Sequence, residues 1–174
     1  MASTKQLALK PQDLLVILKM VVHQDKKFTY AELACELGLS ASEVHSAVKR
    51  GIICRLLTKS PELSVVKFAL TEFLTHGVQY VFPYIGGSLT RGIPTTIAGP
   101  ALSQYFAAEE LPYVWPDPNG EVRGMTFEPL YPTATFASKL DQKLYEILTL
   151  VDALRGGQAR EREISKQLLL GYIS

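Results

Sequence analysis

The sequence predicts a mainly α-helical protein with a small β component, an α+β fold. Apolar residues recur at helical spacing over residues 11–23 and again over residues 138–155. Two capping boxes, which begin at Thr29 and Ser40, predict the starts of two short helices. The runs "YVW" and "EVRGMTFE" flank a turn at residues 117–120, and they predict a small β-hairpin.

The composition is that of a soluble globular protein. The chain has 174 residues, of which 47% are hydrophobic and 20% charged, and it is long enough to bury a core. Its longest apolar runs, such as "LLVILKMVV", are too short to cross a bilayer, and "MASTKQLALKPQD" lacks the apolar stretch of a secretory signal. Two cysteines do not make a disulfide framework. We therefore expect a cytoplasmic protein without a membrane partner.

Charge is unevenly distributed along the chain. Residues 1–60 contain nine basic and five acidic side chains, whereas residues 61–174 contain nine basic and twelve acidic ones. The N-terminal third is therefore basic, with a net charge of +4. The remainder of the chain is mildly acidic, with a net charge of −3. This pattern suits a module that meets an anion.

The first three elements are predicted helices. Pro11 is well placed in the first turn of a helix over residues 11–23. Thr29 and Glu32 have the spacing of a capping box, and the helix they begin ends at Gly38, which reaches the left-handed conformation at little cost. Ser40 and Glu43 form the second capping box. The helix that starts there is predicted to end near residue 50.

The spacing Ala34–x3–Gly38–x5–Val44 resembles the helix-turn-helix of transcriptional regulators. The order of one long helix, this pair and then "GIICRLL" is similar to the winged helix-turn-helix branch, including regulators of the MarR type, over about residues 10–60. The resemblance implies an N-terminal winged helix-turn-helix whose second helix, residues 40–50, enters the major groove of DNA. It also implies a homodimer, because such regulators read two half-sites.

Small hydroxyl side chains at the start of that helix permit close approach to base edges, and basic residues at its end reach phosphates. The free N–H groups that begin the Thr29 helix are a further candidate for a phosphate. The predicted DNA-binding residues are Thr29, Ser40, Ser42, His45, Ser46, Lys49, Arg50, Arg55 and Lys59.

Residues 52–57 suit a short strand and residues 58–64 a turn. Residues 64–77 are predicted to form a helix capped by Ser64, so the wing is reduced compared with the usual MarR pattern. These residues complete a predicted DNA-binding domain, residues 1–77.

Residues 78–174 are predicted to form a C-terminal extension ending in two helices. Three roles stay open for it: an effector-sensing domain, a protein-binding face as in an antitoxin, or a dimerisation scaffold. In the first, an aromatic pocket would be lined by Tyr80, Phe82, Tyr84, Tyr113 and Trp115. For dimerisation, the predicted surface is the apolar stripe of Leu140, Leu144, Ile147, Leu148, Val151 and Leu154.

We predict a sequence-specific DNA-binding transcriptional regulator, most simply a repressor, that acts as a homodimer. The alternative is a winged helix used for protein docking, for example as the antitoxin-like component of a complex. The histidines and cysteines lack zinc-ligand spacing, "YIGGSLTRG" is not a phosphate-binding loop, and there is no nucleophile elbow. We therefore expect neither catalysis nor a cofactor.

Overall fold

The structure is a computed structural model that describes residues 8–174. Residues 1–7, on which the expectation of no secretory signal partly rests, lie outside this range. The elements are α1 (Pro11–Val22), α2 (Tyr30–Leu37), α3 (Ala41–Ile53), β1 (Leu57–Thr58), β2 (Ser64–Val65), α4 (Lys67–His76), α5 (Val78–Val81), β3 (Gly86–Pro94), a 3₁₀ turn (Thr96–Ala98), β4 (Tyr113–Pro116), β5 (Val122–Phe127), α6 (Ala134–Leu140), α7 (Gln142–Gly156) and α8 (Ala159–Ile173). The predicted α+β class is confirmed. None of the helices within the described range combines the length and apolar character that a membrane span requires.

Helix α1 lies at the centre of the core. Its residues 14–18 are all fully buried, so α1 is covered on every side rather than along one stripe. One hydrophobic cluster runs from α1 through α2 and α3 to Trp115 and the apolar face of α7. The domain boundary predicted between residues 77 and 78 therefore separates two segments that share one hydrophobic core.

The segment after α3 differs from the predicted strand. Helix α3 continues to Ile53, and only Leu57 and Thr58 of that segment pair in a strand, with Val65 and Ser64 of β2. A Cβ on Gly51 would lie 2.8 Å from the Leu57 side chain, so glycine at this position lets β1 pack against the helix. Ser64 is a strand residue and does not cap α4, which begins at Lys67.

The predicted hairpin of β4 and β5 is wrong. Strand β3 pairs antiparallel with both β4 and β5, and β4 and β5 pair with each other in parallel, so the three strands close into a ring. Gly92 and Gly124 make this closure possible. A Cβ on Gly92 would overlap the backbone of Trp115 in β4, and a Cβ on Gly124 would overlap the backbone of Pro112, the residue before β4. The Gly-rich segment Gly86–Pro94 thus forms β3, the longest of these three strands.

The helix predicted over residues 138–155 is two helices. Helix α6 ends at Leu140 and α7 begins at Gln142, with Asp141 between them in an extended conformation. The Asp141 side chain accepts a hydrogen bond from the Leu144 N–H at 3.1 Å and so caps α7. A residue that caps the start of a helix has a non-helical backbone conformation, so α6 ends before Asp141.

Asp152 fastens the β-ring to α7. Its carboxylate is 1% exposed and accepts hydrogen bonds from Trp115 Nε1 at 2.6 Å, Thr95 Oγ1 at 2.7 Å and Arg155 at 2.7 Å. Arg155 also donates to the carbonyl oxygens of Phe82, at 2.8 Å, and of Glu128. The buried charges are therefore paired and hydrogen-bonded, as burial requires.

Asp141 is also part of a charged cluster that joins α1, α2 and α7. Lys19 Nζ lies 2.5 Å from Asp141 Oδ2 and 2.6 Å from Glu36 Oε2, and His23 Nε2 lies 2.6 Å from Asp141 Oδ2. Burial opposes the ionisation of Asp141, but hydrogen bonds led by that from Lys19 outweigh it, so the pKa of Asp141 is lowered. The hydrogen bond from Lys19 also lowers the pKa of Glu36.

We expect these carboxylates to make the protein sensitive to acid. Their pKa values are lower in the folded chain than in the unfolded chain. Their contribution to the stability of the fold is therefore complete above the unfolded pKa values, about pH 4, and is lost as pH falls through the folded pKa values. Asp141→Asn should therefore flatten the acid limb of a plot of Tm against pH. The control is Asp25→Asn, at an exposed carboxylate outside the cluster. An unchanged acid limb in the Asp141 variant would contradict this assignment.

Candidate nucleic-acid interface

The α2–α3 pair has the predicted local geometry. The Thr29 hydroxyl accepts the Glu32 N–H and the Ser40 hydroxyl accepts the Glu43 N–H, both at 3.1 Å, so both capping boxes are confirmed. Gly38 has φ of 65°, the left-handed conformation that ends α2. The two helices are therefore joined by a tight turn.

The outward face of α3, which we define as Ser42, His45, Ser46 and Lys49, points away from the core. Ser46 is half-buried and the other three residues are exposed. Among the described residues, no side chain hydrogen-bonds or ion-pairs with any of the four. The His45 ring packs edge-on against Tyr30, with centroids 5.7 Å apart. This face therefore offers hydroxyl, imidazole and ammonium groups whose hydrogen-bonding capacity is unused within the described chain.

Arg50 was predicted to reach phosphate, and the structure gives it a different role. Its guanidinium makes two hydrogen bonds of 2.7 Å to the carboxylate of Asp13, which is fully buried on α1. This hydrogen bonding raises the pKa of Arg50. Arg50 neutralises a buried acid and joins α3 to α1, so its charge is not available to a ligand.

Each of the two helix starts has a carboxylate of its own beside it. The Thr29 N–H donates to Glu32 Oε2 and the Ser40 N–H donates to Glu43 Oε2, each at 2.7 Å. These backbone hydrogen bonds lower the pKa values of Glu32 and Glu43, so both carboxylates are ionised at neutral pH. A phosphate at either helix start would meet a negative charge. A phosphate at the start of the Thr29 helix therefore stays a prediction, and the charge of Glu32 disfavours it.

Arg55 and Lys59 are exposed, as a contact with DNA requires. Arg55 follows α3 with φ of 61°, and Lys59 lies in the turn between β1 and β2. Neither side chain has an ion-pair partner within residues 8–174. On the other side of the same turn, Glu62 pairs with Lys27 at 2.7 Å, which connects the β1–β2 turn to the segment before α2.

The predicted dimerisation stripe belongs to the core. Leu144, Ile147, Leu148, Val151 and Leu154 are at most 2% exposed, whereas Leu140 is 63% exposed at the end of α6. Side chains that the chain's own helices cover have no surface left for a second copy. The stripe is therefore not a dimerisation surface in this fold.

The predicted aromatic pocket does not form either. Trp115 and Phe82 are buried in the core, Tyr80 is exposed, and Tyr84 packs against Tyr113. Arg91 is exposed on β3.

Both cysteines are free thiols. Cys35 is exposed on α2. Cys54 caps the end of α3 and is not in a strand, and burial raises the pKa of its thiol.

Sequence reasoning missed a contact between the helix pair and α6. A Cβ on Gly38 would lie 3.0 Å from the ring of Phe136, and the Tyr131 hydroxyl lies 3.5 Å from Glu43 Oε1. The C-terminal part of the chain therefore touches both the turn and the first turn of α3. Nothing in the pattern of residues 129–140 signals this contact, because the segment is too short for a periodicity and its partner is distant in sequence.

Comparisons with protein-family models, with curated proteins and with solved structures gave no match to this chain.

Proposed function

We propose that this protein is a sequence-specific DNA-binding regulator, most simply a repressor, in which α1–α3 and the β1–β2 hairpin act as a winged helix-turn-helix. The observation that carries the proposal is the outward face of α3. The polar side chains of this face are small at the start of the helix, and the last of them is Lys49. None of them has a hydrogen-bond or ion-pair partner within the described chain. In this mode α3 lies in the major groove, and Ser42, His45 and Ser46 on its outward face read base edges.

The basic residues near α3 supply the contacts with the DNA backbone. Lys49 is exposed on α3, Arg55 follows the helix, and Lys59 extends from the turn of the hairpin. Such contacts fix the position of a protein on the duplex without reading sequence. Because a single helix reads only a few base pairs, a specific regulator of this type acts as a two-fold dimer on a palindromic site.

The experiment that tests this proposal is selection of fragmented genomic DNA by the purified protein, followed by sequencing. We expect enrichment of a palindromic site, and loss of that enrichment in a Ser46→Glu, Lys49→Glu double variant, because two carboxylates would face the phosphates. The matched control is Lys143→Glu, which changes an exposed lysine on α7. Wild-type protein that is folded and enriches no site would overturn the proposal.

The principal alternative is a winged helix that docks a protein instead of DNA. The observation in its favour is that ionised Glu32 and Glu43 occupy the starts of α2 and α3, where a DNA-binding protein usually accepts phosphate. Salt dependence separates the two functions. Binding through several phosphate contacts weakens steeply as salt rises, with a slope of about −0.9 for each phosphate neutralised. A docking module should show little affinity for duplex DNA at any moderate salt.

A further inference from the structure

Two arginines lie directly opposite each other on neighbouring strands of the β-ring. Arg91 of β3 is the register partner of Arg123 of β5, and both side chains are exposed. The residues that follow them, Gly92 and Gly124, are buried. Side chains opposite one another on antiparallel strands have Cβ atoms about 4.5–5.5 Å apart. The two guanidinium groups therefore begin side by side on the outer face of the ring.

No carboxylate neutralises this arginine pair within residues 8–174. Neither guanidinium forms an ion pair or a hydrogen bond there, and residues 1–7 contain no acidic side chain. Glu121 is exposed two residues before Arg123, but it forms no ion pair with either arginine in the described chain. Like charges directly opposite one another destabilise a sheet. The fold therefore retains a repulsive pair, which a bound anion would make favourable.

The chemistry of the pair suits phosphate. Each guanidinium is a planar fork of N–H donors that fits the oxygens of a phosphate group and stays charged at any physiological pH. A DNA strand has one negative charge for about every 3.4 Å of helix axis, so two neighbouring arginines meet one phosphate or two adjacent ones. Because the three strands close into a ring, they present no free edge to a partner's strand. A partner must therefore bind this face through side chains.

A chain of contacts connects the pair to the α2–α3 turn. A Cβ on Gly38 would lie 3.0 Å from the ring of Phe136 on α6. Lys139, three residues further along α6, pairs with Asp117 at 2.5 Å. The Asp117 N–H donates to the Arg91 carbonyl oxygen at 3.1 Å. These contacts place Arg91 no more than about 35 Å from Gly38, which is one turn of duplex DNA. The distance allows one duplex to contact both regions.

We propose that Arg91 and Arg123 together bind the phosphate backbone of duplex DNA, as a contact additional to those of α3. The inference rests on the proposed function for the identity of the partner. It assigns to the β-ring a part in holding that partner, independent of base reading.

The test is the salt dependence of binding to a duplex of random sequence, measured by fluorescence anisotropy between about 50 and 200 mM salt. We expect Arg91→Gln and Arg123→Gln each to reduce the slope of log affinity against log salt by about 1, and the double variant by about 2. The matched control is Arg160→Gln, which makes the same change of charge at an exposed arginine on α8 and should leave the slope unchanged.

Thermal unfolding separates phosphate binding from a structural role. Each glutamine substitution removes a repulsion and breaks no ion pair, so the Tm of both variants should equal or exceed that of the wild type. Arg123→Lys keeps the charge and should keep the slope. A decrease in Tm in either glutamine variant would assign the arginine to the fold and overturn the inference.

Three binding results would also overturn it: a wild type that does not bind random duplex at about 50 mM salt, unchanged slopes in both arginine variants, or an equal loss of slope in the Arg160 variant. Loss of slope in a protein that enriches no genomic site would leave the inference standing and contradict the proposed function. Enrichment of a palindromic site by a protein whose slope does not depend on the arginines would mean the reverse.

Discussion

Replacing Asp152 with alanine is expected to lower the free energy of unfolding by about 3–5 kcal/mol. The change removes the acceptor for Trp115, Thr95 and Arg155 and leaves the Arg155 guanidinium buried without a counterion. For a chain of this size the loss corresponds to a decrease in Tm of roughly 10 °C. Urea denaturation followed by circular dichroism measures the free energy directly.

Glu163→Ala is the control for this change. Glu163 is an exposed carboxylate on α8, and its removal should alter stability by no more than about 0.5 kcal/mol. Fluorescence of Trp115, the single tryptophan, reports the environment of the network, and its emission should shift to the red in the Asp152 variant because water reaches the ring. A loss of stability below about 1 kcal/mol would show that the Asp152 network does not hold the β-ring to α7.

Replacing Arg50 with alanine is expected to destabilise the fold by about 2–3 kcal/mol, because the carboxylate of Asp13 would then be buried without its cation. The expected loss is smaller than for Asp152, since the Arg50 side chain is 16% exposed and Asp13 also accepts the Lys10 N–H. Equilibrium unfolding measures this loss.

The Arg50 variant also separates a structural role from contact with DNA. The affinity for duplex DNA is measured under conditions where both proteins are folded. The slope of its logarithm against the logarithm of the salt concentration should be the same for Arg50→Ala as for the wild type. Lys49→Ala, at the adjacent exposed position, should reduce that slope by about 1. If Arg50→Ala lowered the slope to the same extent and left stability unchanged, the assignment of Arg50 to the Asp13 pair would be wrong.

The features predicted correctly depend on residues close together in the chain. Each capping box is made by residues three apart, and the turn at Gly38 requires only that one residue adopt the left-handed conformation. Helix α1 begins at Pro11, as the residue's fixed φ favours. These interactions have the same geometry wherever the segment lies in the fold, so sequence spacing is enough to predict them.

The wrong predictions concern which surfaces of the folded chain contact one another. An apolar stripe such as Leu144–Ile147–Val151 has the same pattern whether the chain's own helices or a second chain covers it. Similarly, Arg50 at the end of a helix looks available to phosphate until Asp13, 37 residues away, is placed beside it. Periodicity shows that a side chain is to be covered or exposed, but not what lies next to it.

The sequence by itself determined the α+β class, the first three helices, the two capping boxes and the turn that joins α2 to α3, because each depends on local conformational preference and hydrogen bonds over a few residues. Only the tertiary structure decided the closed β3–β4–β5 ring, the break at Asp141 and the pairing of Arg50. Each of these arises where segments distant in sequence come into contact. Which groups remain free to bind a partner is decided by those contacts.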